Sequence, residues 1–120
     1  MTRVSHRGRE LHIDGHCTEF EYDLIDAFES DGRIIVLLDP NAYLRDPGYG
    51  KERRRGQDPF RNLRAISMSG DLLWKAEFPE AADYYYKIAD RNPLTALSFS
   101  SYRCVIDVAT GRIVRKEFFK

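Results

Sequence analysis

An all-β fold built from antiparallel hairpins is the class this sequence predicts. Three observations predict it: short alternating or apolar β-type runs recur along the chain, turn residues separate them at short intervals, and no long stretch carries a helical apolar period. The 120 residues fit one domain, with 42% apolar and 12% aromatic residues to fill a core.

Arg9–Asp14 reads as a strand with Leu11 and Ile13 on one face. Asp14-Gly15 reads as a hairpin turn. Thr18–Phe28 resumes the alternation, with Phe20, Tyr22 and Leu24 on one side and Glu19, Glu21 and Asp23 on the other. Ser30-Asp31-Gly32 turns the chain into Arg33–Asp39, whose core Ile34-Ile35-Val36-Leu37-Leu38 has no polar alternation. Such a run suits a central strand buried on both faces.

Pro40 ends that strand, and Asn41–Arg61 reads as a long loop rich in Gly, Pro and basic residues. Strands are expected again at 62–68, 72–77, 84–89, 94–99, 102–107 and 112–118. A helix over Glu80–Ile88 is the alternative for the region of Ala81, Ala82 and Tyr84–Tyr86. Counted from Thr18, about eight antiparallel strands fall into two four-stranded meanders, 18–77 and 84–118, packed as a small sandwich within a single domain, 1–120.

Nineteen basic residues balance nineteen acidic ones, which argues against general nucleic-acid binding. No apolar run approaches the roughly 18 residues of a membrane span, and no apolar stretch follows the basic N-terminus as a secretory signal requires. A cytoplasmic location with Cys17 and Cys104 as reduced thiols is the expectation. Charge is uneven along the chain: Asp14–Asp31 contains seven acids and no Lys or Arg, whereas Lys51–Arg64 is strongly basic. That asymmetry suits either an electrostatically steered interface or two regions that attract each other within the fold.

His12, His16 and Cys17, with Asp14 among them, are the one metal-type grouping. Without a second ligand pair, ordinary surface histidines and a half-buried cysteine are the preferred reading, so no metal site and no cofactor are assigned. Cys104 alternates with Tyr102 and Ile106 as a core residue would. No serine sits in a Gly-x-Ser-x-Gly context, Pro47–Lys51 lacks phosphate-loop spacing, and no catalytic residue is assigned. Tyr84 and Tyr86 share one strand face and Tyr85 takes the other, so one side is core and the other an exposed aromatic anchor.

Asn62–Trp74, with Gly70 in its turn and Trp74 closing its second strand, resembles the blade hairpin of quinoprotein-like β-propeller repeats. Asp107-Val108-Ala109-Thr110-Gly111 resembles the companion turn of those repeats. The resemblance covers about residues 62–118, extends loosely to 18–39, and implies two blade-like units, short of the roughly four that close a ring. The two-blade appearance also resembles, by fold-level analogy, small immunity proteins that neutralise toxins of bacterial contact-dependent growth inhibition. It implies a monomeric, non-enzymatic protein-binding module that occludes a basic, nuclease-like toxin domain. Glu19, Glu21, Asp23, Asp26 and Tyr85 are the partner-binding candidates. The alternative is a structural unit that self-associates into a propeller-like ring.

Overall fold

The computed structural model of the chain describes residues 2–41, 45, 61–80 and 83–119. Most of the loop expected over 41–61, including the Lys51–Arg55 run, lies outside these residues, as do positions 81 and 82. Among the described residues there are eleven strands in three antiparallel sheets and no helix long and apolar enough to cross a membrane.

The first sheet is β1 (Val4–Arg7), β2 (Glu10–Ile13) and β3 (His16–Glu19). The second is β4 (Leu24–Ser30), β5 (Arg33–Leu38), β6 (Leu63–Ile66) and β7 (Leu72–Lys75). The third is β8 (Tyr85–Arg91), β9 (Leu94–Ser98), β10 (Tyr102–Ile106) and β11 (Ile113–Phe118). In every sheet the spatial order follows the chain order, so each is a meander of hairpins. The turn chemistry explains two of these hairpins. Asp14-Gly15 has φ of 47° and 88°, and Asp31-Gly32 has φ of 53° and 78°. Paired positive φ values give the turn type whose twist matches antiparallel strands, and Asp-Gly adopts it readily.

Both expected four-stranded meanders form. The expected two-layer sandwich omits the β1–β3 sheet, and this is the main correction to the fold. The expected strand over Thr18–Phe28 is two strands in different sheets, because Phe20–Asp23 leaves the ladder and carries the chain from β3 to β4. Phe20 and Leu24 still turn into one core, so the alternation survives where the strand does not. Tyr85–Arg91 is a strand, which sets aside the helix alternative over its described part.

The β4–β7 sheet is the middle layer. Ile34, Val36 and Leu38 of β5 pack with Leu11, Ile13, Phe20, Leu24 and Ile66 toward the first sheet. Ile35 and Leu37, on the opposite face, pack with Leu63, Trp74, Tyr85, Leu94 and Cys104 toward the third. This two-sided burial is why β5 is apolar at consecutive positions. At about 25 cal/mol per Å² of apolar surface, each of its fully buried side chains contributes roughly 1.5–3 kcal/mol to folding.

Directional hydrogen bonds add register between the second and third sheets. Trp74 donates its indole N–H to the Val108 carbonyl at 2.8 Å, and its ring lies over Gly111, where an added Cβ would fall 2.5 Å from the indole. The two segments that carried the propeller resemblance are therefore in contact. Buried Asn62 donates to the carbonyls of Leu38 and Tyr85 at 3.0 and 2.6 Å and accepts from the Tyr85 amide at 3.1 Å. One amide side chain thus ties the end of β5 to the start of β8, satisfying buried backbone groups on both sides.

Candidate functional site

The acidic candidates do not form one open face. Glu19 ends β3 and takes the Arg9 guanidinium at 2.7 Å. Glu21, in the link between sheets, receives a two-pronged bond from Arg64 at 2.8 and 2.9 Å. Asp26 on β4 lies 3.5 Å from Arg91, whose guanidinium also covers the Phe28 ring at 4.5 Å. Asp23 is exposed, its backbone carbonyl accepting from the Asp39 amide. Three of the four acids are thus committed within the chain, so the uneven charge is in part an internal attraction. The arginines that meet them come from positions 9, 64 and 91, distances along the chain that strand alternation does not report.

The Arg64–Glu21 pair is the most enclosed of these, with Arg64 only 6% exposed. Burial pushes the Glu21 carboxyl upward, but the Arg64 hydrogen bonds and charge outweigh it, and the group sits below its ordinary value of 4.5.

Tyr85 is not an exposed anchor. Its side chain is fully buried, its hydroxyl donates to the Glu77 carbonyl at 2.7 Å, and its ring meets Phe78 edge-on at 5.4 Å. Tyr86 is the neighbour that faces solvent. Alternation separates the two faces correctly; the core lies on the other side, because β8 faces the middle sheet through Tyr85.

A group of exposed aromatic side chains around the β9–β10 turn was missed by the sequence reading. Phe99 (65% exposed), Phe118 (63%) and Phe119 (41%) project there. Phe99 stacks on the half-buried Tyr84 with centroids 5.0 Å apart, and Phe118 meets Tyr102 edge-on at 5.7 Å. The Phe119 amide bonds the Ser101 carbonyl, which holds the C-terminal aromatics beside the turn. Buried Asp83 stiffens the same turn through the Ser100 amide and hydroxyl. The signal available in the sequence was aromatics flanking a turn; the pairing of Tyr102 with Phe118 is set by register alone. Nearby, a groove of about 390 Å³ runs between Glu77–Pro79 and the outer side of β11 at Ile113–Lys116.

Of the metal-type residues, Asp14 lies in the hairpin turn, where its carboxylate accepts from the Arg3 amide. His16 is exposed opposite Ile13, and His12 stands directly opposite Cys17. Cys17 is an exposed free thiol rather than the half-buried one expected.

A family model described as a domain of unknown function, DUF7957, matches residues 1–118. The chain belongs to the DUF7957 family. No curated protein and no solved structure matches it.

In this DUF7957 domain the strongly perturbed ionisable groups are interior ones. Burial pushes the Tyr85 phenol far up, with the Cys104 thiol beside it adding to the shift. Burial likewise raises Cys104, against the lowering effect of the Tyr85 hydrogen bond. Both stay protonated at neutral pH, the state in which they pack as core residues.

Proposed function

We propose that this chain is a protein-binding module of the immunity type, which neutralises a toxin domain by covering its active surface. The exposed Phe99, Phe118 and Phe119 around the β9–β10 turn, with half-buried Tyr84 stacked on Phe99, carry this reading. Exposed aromatic surface rimmed by polar residues marks interaction sites, and buried aromatics dominate binding energy once a partner closes over them. The cluster sits on a turn stiffened by Asp83 and on ring pairs already in contact, so little side-chain freedom is lost on binding. The acid-rich stretch supports a basic partner more weakly than its composition suggests. With Glu19, Glu21 and Asp26 paired to arginines, Asp23 is the one of the four candidate acids left to help steer the encounter.

The test is co-expression with a toxin encoded beside this protein's gene, followed by titration of the purified pair. Wild-type protein is expected to bind and protect. A Phe99→Ala/Phe118→Ala variant is expected to keep its fold while losing about 30-fold or more in affinity, the size of a hot-spot loss. Equal affinity in the variant, or no protection by the wild type, overturns the reading.

A second reading, self-association into a propeller-like assembly, draws on two observations: two successive four-stranded meanders, and the Trp74 contact on the Asp107–Gly111 turn. Light scattering on a sizing column separates the two, since a concentration-independent monomer excludes the assembly.

A further inference from the structure

We propose that Glu10, His12 and Cys17 form a binding site for a zinc-class divalent cation on the outer face of the β2–β3 hairpin. The inference is independent of the protein-binding reading above. It starts from register. His12 and Cys17 are direct cross-strand partners. Glu10 is two residues before His12, so it projects from the same face of β2, while Leu11 between them is buried in the opposite direction. One donor atom from each of the three comes within 4.8 Å of the others.

The spacing suits a tetrahedral centre. With zinc–ligand bonds of about 2.0–2.3 Å, neighbouring donors of a tetrahedron lie about 3.5 Å apart. His12 Nε2 and Glu10 Oε1 are already 3.4 Å apart. The Cys17 sulfur already lies within 4.8 Å of both, on an exposed side chain with a single χ1 to adjust.

The donor set also selects the metal. Thiolate and imidazole favour zinc and its transition-series neighbours over magnesium or calcium, which take oxygen. Carboxylate and thiolate together supply two negative charges against the cation's two positive ones. The thiol proton leaves to solvent when the metal binds. Three protein donors leave a fourth position open to water or an incoming ligand.

The platform is rigid. The Asp14-Gly15 turn closes the hairpin, and β1 pairs along the whole of β2. The surrounding charges are defined: Arg7 stands opposite Glu10 on β1 as a competing cation, and Glu19, opposite Glu10 on β3, is held by Arg9.

The test uses the full chain, reduced and freed of metal, titrated with zinc chloride against a chromophoric chelator and separately with cobalt(II). One zinc per chain is expected, and the cobalt adduct should show sulfur-to-metal charge-transfer absorption that Cys17→Ser abolishes. His12→Ala and Glu10→Gln should each weaken zinc binding by about tenfold to a hundredfold, while His16→Ala changes it less than about twofold. All four positions are on the surface of the hairpin, and circular dichroism of the metal-free variants checks that they fold. No zinc binding by the wild type overturns the site. So does unchanged affinity in Cys17→Ser, or a loss in His16→Ala equal to that in His12→Ala.

Discussion

Toward β8–β11 the middle sheet presents Trp74, Leu63, Ile35 and Leu37, and it meets a neighbour that supplies hydrogen-bond partners as well as apolar surface. Toward β1–β3 it presents Ile34, Val36, Leu38 and Ile66, and it meets Leu11 and Ile13 through apolar contact. The first interface is specified by direction inside its core, through the Trp74 indole, the Tyr85 hydroxyl and the Asn62 amide. The core of the second is specified by area, with directional bonds only at its margin: the Leu24 amide to the Gly8 carbonyl and the Arg64–Glu21 pair. Apolar burial tolerates small shifts of one layer on another, whereas a buried donor that loses its acceptor is penalised by about 1–3 kcal/mol. The first interface should therefore behave as a keyed joint and the second as a fitted one.

Deleting a large buried side chain from each interface gives the largest effects. Trp74→Ala is expected to destabilise the fold by about 3–5 kcal/mol and Leu11→Ala by about 2–4 kcal/mol, read from denaturant midpoints. If the keyed and fitted distinction holds, Trp74→Phe, which keeps most of the apolar area but drops the donor, still loses about 1–3 kcal/mol. Leu11→Met, in contrast, loses less than about 1.5 kcal/mol. Equal losses for these two conservative changes would erase the comparison.

Glycine substitutions sharpen it next. Gly111 has φ of 78° and an added Cβ would strike the Trp74 ring, so Gly111→Ala should cost about 2–4 kcal/mol from strain and overpacking together. Gly15, at the tip of the first sheet, has φ of 88° and open space around it. Gly15→Ala should cost only the backbone term, about 1–2 kcal/mol. A thermal-melt comparison that ranks Gly15→Ala as the more damaging would mean Trp74 does not rest on Gly111.

The smallest expected effect is electrostatic. Glu21 carries a folded-state pKa below its ordinary value, so its pairing with Arg64 stabilises the fold above pH 4.5. That contribution is lost as pH falls through the lower, folded-state value. Because Glu21 is half exposed, solvent screening keeps the worth of the pair near 1 kcal/mol. Glu21→Gln should thus lower stability by about 1 kcal/mol at pH 7, and the gap between variant and wild type should close in acid. A gap that persists in acid would point to packing rather than charge.

Much of the second and third sheets was legible because their signals are local. The run Ile34–Leu38 announced a strand covered on both sides, and Asp31-Gly32 announced the turn before it. The first sheet was only half legible. Leu11 and Ile13 signalled β2, but β1 and β3 are short and mostly exposed, so they carry little apolar pattern. The break at Phe20–Asp23 was invisible for a related reason: alternation records which way side chains face, and it continues even where the ladder stops. The candidate sites depended still more on distant partners. The acids look alike in sequence, yet three meet arginines and are held. Tyr85 and Tyr86 look interchangeable, yet only one has a sheet above it.

By itself the sequence determined the period-two strands, the turn positions and the two-sided burial of β5, because each follows from the backbone preferences and polarity of neighbouring residues. The tertiary structure alone decided that a third sheet covers the middle one, that Tyr85 is interior, and that aromatic rings collect around the β9–β10 turn. It also decided that His12 faces Cys17. These depend on which strands pair and in what register, and that choice is made by the burial of surfaces far apart in the chain.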